Sequence, residues 1–300
     1  MSLKCHQAYE LPDPRLESWM KEIDDEALIR QIAIPGSHDA CTAGIMWATE
    51  TQVLGIPDLL KAGSRYFDVR VHKKGDKYVI FHSICDGRNF LPVLAELKDF
   101  IKSHPTETLI LDFQHFKGDS QEDVYGFITK ELQSEGLVVE NKTGESNLDF
   151  IRGLKLKDAR GKCIVFWGDR SFRASTYLFP RNDNECTYDD MCMDSYYIGS
   201  LHKEDPMCLI NKAHPIYFDR VRKLKEQGKN GVFVLQCQLT DKMYLRGPWS
   251  RERINDEPMS QYIRDMKDSD MLEDINIVLR DFINPRKCEE IIKLNEYKKK

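Results

Sequence analysis

The sequence predicts a (β/α)-barrel, because short apolar segments alternate with longer amphipathic segments along most of the chain. Seven apolar segments predict strands, at 31–34, 65–71, 78–81, 108–113, 162–167, 231–238 and 275–282. Four amphipathic segments predict helices, at 90–103, 122–135, 216–227 and 284–297. The chain has 300 residues, and a TIM-type barrel typically takes about 250.

A doubly wound open sheet is the main competitor for this pattern. Such a sheet usually carries a glycine-rich phosphate loop after its first strand, and neither GxGxxG nor GxxxxGK[ST] occurs here. We therefore predict a TIM-barrel-like fold, which includes an irregular or incomplete barrel. It is expected to form one domain over 1–300, with a core at about 16–295 and a polar excursion at about 181–209.

Composition narrows the class of protein. The 44 Lys and Arg residues nearly balance the 49 Asp and Glu residues, and the resulting net charge of −5 disfavours nucleic acid as a partner. No segment has the roughly 18–20 consecutive apolar residues of a membrane span, and the first residues lack the apolar core of a signal peptide. We expect a monomeric cytoplasmic or peripheral membrane protein. A secreted protein remains an alternative if a native leader has been removed.

The nine cysteines do not form a metal-binding pattern. They include no CxxC pair and no Cys/His ligand spacing, so no structural zinc site is predicted. Cys163 and Cys237 lie in apolar segments and are expected to be buried. Cys186, Cys192 and Cys208 lie in one polar segment, where a disulfide is an open alternative in an extracellular protein.

Histidines follow two of the predicted strands. The segment IPGSHDA presents His38 and Asp39 just after the first strand, where Pro35 and Gly36 are expected to end it. The segment YVIFHS presents His82 in the same way. Active sites of (β/α)-barrels lie at the carboxyl ends of the strands, so both histidines are candidates for acid–base chemistry.

Charged residues on the neighbouring strands extend this set. Asp68 and Arg70 alternate with apolar residues and must share one face, either as an ion pair on an antiparallel edge or inside a parallel barrel. Asp281 ends the last apolar strand, whose neighbour in a closed barrel is the strand that precedes His38. A carboxylate there would orient this histidine. Two histidines with an arginine can serve acid–base cleavage of a phosphate ester.

A fourth strand carries two further polar residues on one face. Asp112 and Gln114 alternate with Leu111 and Phe113, and Asp112 either points inward in a supporting role or caps the following segment. His115 has the opposite parity and is expected to be structural.

These motifs together resemble one known family. LESWM, IAIPGSHDA, AGSRYFDVRV, FHS, ETLILDFQHF and INIVLRDFI, in this order, resemble the phosphatidylinositol-specific phospholipase C X-domain family, and especially its compact, bacterial-like members. The resemblance runs from about residue 16 to residue 295. It implies an enzyme that binds a phosphatidylinositol-type lipid during transient contact with a membrane surface, and that releases diacylglycerol and inositol 1,2-cyclic phosphate.

The resemblance also implies roles for six residues. His38 would be the general base and Asp281 its carboxylate partner, while His82 would be the general acid, supported by Asp39. Arg70, in the D-x-R strand that begins with Asp68, would stabilise the charge that gathers on the phosphorane oxygens.

Metal dependence follows from the same alignment. Calcium-dependent relatives place acidic ligands where this chain has Arg70 and Gln114, and a fixed cation at position 70 would repel the metal ion. We therefore expect a calcium-independent enzyme with no cofactor and no metal site.

The sequence motifs indicate the substrate-binding residues less clearly than the catalytic residues. The family's basic residue and Asp/Tyr pair suggest Arg170, Asp194 and Tyr196 as candidates beside Asp112 and Gln114, and a solvent-facing loop is the alternative for the first three. Met46, Trp47 and Trp249 are candidates for the membrane-facing rim, with ordinary packing as the alternative.

Two other functions remain alternatives to this one. A metal-dependent glycerophosphodiesterase or sphingomyelinase-D-like barrel also uses two histidines. A non-catalytic lipid-binding or inositol-phosphate-binding protein could keep the same fold.

Overall fold

The computed structural model describes residues 13–117, 120–168, 172, 175–182, 190–202, 205–240 and 247–299. The strands are β1 Ile34–Ser37, β2 Tyr66–Lys74, β3 Lys77–His82, β4 Cys85–Asn89, β5 Thr108–Lys117, β6 Lys162–Trp167, β7 Leu178–Pro180, β8 Met193–Asp194, β9 Val232–Gln236 and β10 Ile277–Arg280. The helices are α1 Ile56–Lys61, α2 Phe90–Ser103, α3 Ser120–Glu131, α4 Asn147–Gly153, α5 Leu156–Ala159, α6 Pro206–Cys208, α7 His214–Glu226, α8 Gly247–Asp265 and α9 Pro285–Ile292.

Eight parallel strands form a nearly closed barrel in the order β7-β6-β5-β2-β1-β10-β9-β8. A bridge between Arg181 and Met193 joins β7 to β8, and the N–H of Cys192 donates to the carbonyl of Pro180 beside it at 2.8 Å. The last strand pairs with the first through Ser37 and Arg280, as the sequence predicts. The predicted (β/α)-barrel is confirmed.

Side chains alternate across the sheet as strand geometry requires. Tyr66, Ile110 and Ile164 belong to the cluster that fills the barrel interior, together with residues of β1, β9 and β10. Phe67 and Leu111, one position further along their strands, pack outside against α2 and α3. Both faces of the parallel sheet are therefore buried.

The first strand begins three residues later than the sequence predicts. Residues Ile29–Gln31 form a short 3-10 helix, and Pro35 and Gly36 lie inside β1 instead of ending it. The predicted bounds of β1 were wrong because pairing with the neighbouring strands β2 and β10 sets where this strand begins and ends. A Cβ atom at Gly36 would lie 3.0 Å from the Tyr66 ring and 3.1 Å from Ile277, so the crowded interior favours glycine.

The predicted strand at 78–81 is not a barrel strand. β3 pairs antiparallel with β2 and with β4, and this hairpin is attached to the edge of β2 beyond its pairing with β1. Its apolar composition predicted a strand correctly, but the short turn at Gly75 returns the chain antiparallel instead of through a crossover.

Several elements were not predicted at all. The short strand β7 lies just before the predicted polar excursion and β8 lies inside it, and α8 is the longest helix that the structure describes. Pro258 lies inside α8, and an interior proline argues against a helix in any sequence-based assignment. No helix within the described ranges is both long and apolar enough to cross a bilayer.

The described cysteines of the polar segment are free thiols. Cys192 is buried and Cys208 is half-buried, whereas Cys186 lies outside the described residues. Cys163 and Cys237 are buried, as predicted.

Candidate active site

Three barrel strands deliver polar side chains to one end of the barrel. His38 and Asp39 follow β1, Asp68 and Arg70 lie on β2, and Asp281 follows β10. His38 and Asp281 line a cleft with an empty volume of about 450 Å³, and Asp39 lies next to His38. Its lining includes His38, His82, Asp281, Thr51, Leu239 and Pro248. The cleft therefore has a charged floor beside an apolar wall.

His38 lies between two carboxylates. Its Nδ1 atom is 2.7 Å from Oδ1 of Asp281, and its Nε2 atom is 3.4 Å from Oδ2 of Asp39. Burial alone would lower the pKa of His38, but Asp39 and Asp281 outweigh burial and raise it to about 9. Burial raises the pKa of Asp281, and the positive charge of His38 opposes that change.

His82 reaches the same carboxylate from the β3–β4 hairpin. Its Nδ1 atom lies 2.6 Å from the carbonyl oxygen of Thr49, which fixes the proton on Nδ1 and leaves Nε2 facing the cleft. Nε2 is 3.2 Å from Oδ2 of Asp39. Antiparallel pairing explains the approach, because β3 runs back along β2 and ends with His82. Sequence reasoning missed Thr49, since a backbone carbonyl leaves no sequence signal.

Arg70 links two buried carboxylates. Its Nε atom is 2.7 Å from Oδ1 of Asp39, and its Nη2 atom donates to Oδ2 of Asp68 at 2.8 Å. Burial would raise the pKa of Asp39, but Arg70 and the two histidines hold it below its usual range. The guanidinium is thus held in place by both carboxylates, with 16% of the Arg70 side chain exposed.

Backbone strain is concentrated at this site. Among the described residues, Asp39, Ser83 and Phe282 are the non-glycine residues with positive φ, at 42°, 56° and 46°. Asp39 and Phe282 adjoin His38 and Asp281, and Ser83 follows His82. Such conformations cost on the order of 1–3 kcal/mol each and persist where the surroundings impose them. Each of these residues sharply turns the chain at a site side chain.

Asp112 is buried beneath the cleft and does not line it. Its Oδ2 atom accepts hydrogen bonds from the Tyr66 hydroxyl at 2.5 Å and from Gln114 at 3.0 Å, while Nε of Arg181 lies 2.9 Å from Oδ1. Burial raises the pKa of Asp112 to about 6, against the opposing charge of Arg181. The structure therefore supports the inward, supporting alternative for Asp112. Sequence reasoning missed Arg181, because nothing local relates it to β5.

His115 does not keep the parity that the sequence predicts. The pairing of β2 with β5 shifts between Val69 and Arg70, so that Arg70 pairs with His115 although Asp68 pairs with Asp112. The bulge leaves Gln114 as the extra residue and turns His115 toward Arg70. Burial and then the charge of Arg70 lower the pKa of His115. A bulge leaves no mark in the apolar pattern of β5, so this position was wrongly predicted.

Asp194 and Tyr196 lie at the end of β8, on the other side of the barrel. Asp194 is buried and accepts hydrogen bonds from Nε of Arg220 at 2.5 Å and from the amide of Asn182. The Arg220 guanidinium stacks over the Tyr196 ring at 4.7 Å from its centroid. Arg220 was missed because it lies on α7, far along the chain. The predicted candidate Arg170 lies outside the described residues.

The comparisons with known proteins bear on this arrangement directly. Residues 28–168 match the model of the family described as phosphatidylinositol-specific phospholipase C, X domain. These residues belong to the phosphatidylinositol-specific phospholipase C X-domain family. The X domain thus includes His38, Asp39, Asp68, Arg70 and His82, whereas Asp281 lies beyond the matched residues.

Curated relatives align over part of their length. The X domain is 30% identical over 103 residues to the 1-phosphatidylinositol phosphodiesterase of Listeria monocytogenes, which covers 32% of this chain and 32% of that protein. It is 29% identical over 119 residues to human PI-PLC X domain-containing protein 2, which covers 29% of this chain and 39% of that protein. The matched part of the chain spans about a third of the length of these relatives.

Solved structures match the barrel as a whole. The phosphatidylinositol-specific phospholipase C of Listeria monocytogenes has a TM-score of 0.66 at 19% identity, over 93% of this chain and 98% of that chain. A Staphylococcus aureus structure concerned with modulation of membrane binding by its phosphatidylinositol-specific phospholipase C has a TM-score of 0.67 at 17% identity, over 93% and 97% of the two chains. The similarity establishes the fold of the X domain and of the strands that follow it.

The spacing of three X-domain side chains would suit a cation. Ligand atoms of His38, Asp39 and Asp68 lie within 4.8 Å of one another. Arg70 already contacts both carboxylates at 2.7 and 2.8 Å, so a second positive charge there would meet its repulsion. The donor set therefore fits an arginine better than a metal ion.

Proposed function

We propose that this protein is a phosphodiesterase that cleaves phosphatidylinositol-type lipids to diacylglycerol and inositol 1,2-cyclic phosphate. One observation carries the proposal: the Nε2 atoms of His38 and His82 both lie within 3.4 Å of Oδ2 of Asp39, with Arg70 on the other oxygen of that carboxylate. Two imidazoles at one cleft can take a proton from one oxygen and give a proton to another. The relatives named 1-phosphatidylinositol phosphodiesterase support the same substrate class.

In the first step, neutral His38 takes the proton of the inositol 2-hydroxyl. The 2-oxygen attacks phosphorus, and the bond from phosphorus to the diacylglycerol oxygen breaks as protonated His82 donates its proton to that oxygen. Attack by a neighbouring hydroxyl is intramolecular, which removes much of its entropic cost. Asp281 stabilises the imidazolium that forms at His38 and holds its ring, since the two lie 2.7 Å apart.

Arg70 takes the electrostatic role of a metal ion in this proposal. Its guanidinium, fixed by Asp39 and Asp68, donates to the phosphorane oxygens as they gain charge. We therefore propose a calcium-independent reaction with no cofactor. The metal-dependent alternative depends on the three-ligand cluster described above, so chelation distinguishes the two.

Head-group binding is assigned to the opposite wall of the barrel. We propose that Asp194 and Tyr196 bind the inositol hydroxyls, with Arg220 orienting both side chains. Asp112 and Gln114 support the floor of the cleft through Arg181 and Tyr66 instead of contacting the lipid. Arg170 stays a proposal from the family resemblance alone.

Exposed apolar side chains surround the cleft and suit transient contact with a membrane surface. Met46 is 48% exposed, Trp47 64%, Trp249 44% and Ile84 87%. Trp249 packs edge-to-face on Phe282 at 5.1 Å, and Ile84 lies two residues after His82, so both adjoin the site. We propose that these four residues form an apolar rim on a monomeric, cytoplasmic or peripheral membrane protein.

Residues 16–295 would act together as one catalytic barrel.

The deciding experiment follows phosphorus NMR of phosphatidylinositol micelles with excess chelator and then with calcium. Inositol 1,2-cyclic phosphate that forms in chelator at an undiminished rate supports the proposal. Product that requires a metal ion favours the metal-dependent alternative. Lipid binding without product under either condition favours the non-catalytic alternative.

A further inference from the structure

A buried glutamine spans the seam between the first and last barrel strands. Gln52 has no exposed surface, and its Nε2 atom donates to the carbonyl oxygens of His38 at 2.9 Å and Arg280 at 3.1 Å. Its Oε1 atom accepts from the N–H of Ile283 at 2.9 Å. One side chain thus holds the backbone on both sides of the His38–Asp281 pair.

The regular ladder between these strands ends where Gln52 begins to act. Pairing of β1 with β10 stops at Ser37 and Arg280, and the N–H of His38 makes one further bond to the Arg280 carbonyl at 3.1 Å. Beyond it, Asp39 and Phe282 adopt positive φ, and the two chains diverge. The side-chain amide of Gln52 therefore supplies the bonds that a continuing ladder would have supplied.

The adjoining residue strengthens the same junction. The carbonyl of Thr51 accepts from the N–H of Phe282 at 2.7 Å, and its hydroxyl lies 3.2 Å from the carbonyl oxygens of both His38 and Asp39. The dipeptide 51–52 therefore contacts the backbone of both site loops. It lies later in the same β1–α1 connection as His38, so this connection folds back onto its own start and onto the residues after β10.

We propose that Gln52 is a positioning residue that sets the contact between His38 and Asp281 by fixing the two backbone loops that carry them. Its role in turnover rests on the proposed function, whereas its effect on the contact does not. Without the amide, the segments after β1 and β10 keep their links through Thr51 and through the His38 N–H but lose three hydrogen bonds, so the 2.7 Å contact between Nδ1 and Oδ1 is held less firmly. A misplacement of about 1 Å can reduce a rate about 100-fold.

The titration of His38 reports this contact without any substrate. The groups that face or influence this imidazole are Asp39, Asp68, Arg70, His82, His202 and Asp281. Of these, Asp281 makes the shortest contact with the ring. Loosening that contact lowers the pKa of His38, because a nearby negative charge favours the imidazolium.

Asn276 provides a matched control at the other end of β10. It is equally buried, and its Nδ2 atom donates to the carbonyls of Ile29 at 2.9 Å and Ile32 at 2.7 Å, while its Oδ1 atom accepts from Phe233 at 3.2 Å. Gln52→Met and Asn276→Leu therefore each remove one buried amide with three backbone bonds, with little change in side-chain size. The control lies at the amino end of β10, away from the cleft.

The experiment compares the two variants with the wild type by NMR titration of ¹⁵N-histidine-labelled full-length protein. We expect Gln52→Met to lower the pKa of His38 by about one unit and Asn276→Leu to leave it unchanged. An unchanged pKa in Gln52→Met overturns the proposal. An equal fall in both variants also overturns it, because general loosening would then be the cause.

If Gln52→Met does not fold, a more conservative variant tests the same proposal. Gln52→Asn keeps the amide but shortens its reach by one methylene, and a smaller fall of the same sign is expected; no fall overturns the proposal. In kinetics on phosphatidylinositol, Gln52→Met should lower kcat about 10- to 100-fold with KM within about twofold. A fall in the pKa of His38 in a protein whose wild type has no turnover would support the positioning role and contradict the proposed function.

Discussion

The two sides of the barrel mouth use different polar chemistry. The acid–base side, formed by β10, β1, β2 and the β3–β4 hairpin, carries the histidines and four charged residues in direct ionic contact. The amide side, formed by β7, β8 and β9, carries mainly neutral donors and acceptors, and its charged residues Arg181 and Asp194 are both in ion pairs. Its groups are Asn182, Ser195, Gln236 and Gln238, with the Asp194–Arg220 pair.

Under the proposed function, this difference would separate two tasks. Proton transfer and phosphorane stabilisation need charges that can move or be neutralised, whereas neutral hydroxyls are matched by amides and hydroxyls. Substitutions on the acid–base side should therefore change kcat, and substitutions on the amide side should change KM. The following predictions test that division, from the largest expected effect to the smallest.

Removal of either histidine should have the largest effect. We expect His38→Ala and His82→Ala each to lower kcat by about 10³-fold or more, because general acid–base catalysis typically contributes about 10²–10⁴-fold. His104→Gln is the control, since His104 follows α2 and stacks on Phe100 away from the cleft. Stopped assays on phosphatidylinositol micelles measure the rates. Wild-type turnover in either alanine variant would remove the acid–base assignment.

Replacement of the arginine should have the next largest effect. Arg70→Lys keeps the charge, but a single ammonium cannot reproduce the geometry with which the guanidinium contacts Asp39 and Asp68. We expect kcat to fall about 10²-fold, with no restoration by calcium. Rates in chelator and in calcium provide the measurement. Restoration by calcium would favour a metal-dependent site and argue against the proposed role of the arginine.

The pH dependence of kcat/KM should shift to lower pH when Asp281 is replaced by a neutral residue. With a pKa of about 9, His38 is protonated in the free enzyme at neutral pH, so the neutral base form and kcat/KM both increase as pH rises toward 9. Asp281→Asn removes a negative charge 2.7 Å from the ring, lowers the pKa of His38 and should shift this rising limb to lower pH. A pH–rate profile of both proteins measures the shift. If the rising limb of the pH–rate profile stays at the same pH in Asp281→Asn, this limb reports the titration of a group other than His38.

A substitution on the amide side should act on substrate binding. Asp194→Asn keeps the size of the side chain but removes the charge that pairs with Arg220, and we expect KM to rise about 10-fold with kcat within about threefold. Asp219→Asn is the matched control, because Asp219 pairs with Lys223 on the exposed face of α7. Steady-state kinetics on mixed micelles distinguish the two constants. A loss confined to kcat would place Asp194 with the acid–base machinery instead.

The rim should affect only contact with the membrane. We expect Trp47→Ala to weaken binding to phosphatidylinositol-containing vesicles several-fold, because its side chain is 64% exposed beside the cleft. Tyr297→Ala is the control, since Tyr297 is 52% exposed near the chain's carboxyl end. Vesicle sedimentation measures binding, and turnover of a water-soluble phosphodiester should not change. Equal vesicle binding by both variants would contradict the rim.

The sequence alone determined the part of the site that is carried by barrel strands. Alternation on β2 places Asp68 and Arg70 on one face, and closure of a parallel barrel places the end of β10 beside the end of β1. Both rules depend on strand geometry, which is the same in every barrel. The proximity of His38 to Asp281 could therefore be predicted across more than 240 residues of chain.

The tertiary structure decided what strand geometry leaves free. The antiparallel return of β3 brings His82 to Asp39, the bulge at Gln114 turns His115 toward Arg70, and the Thr49 carbonyl fixes the His82 tautomer. These features depend on backbone groups and on pairings between distant segments. Residue type does not encode them locally, because any residue supplies a carbonyl and an apolar pattern does not record an extra residue in a strand.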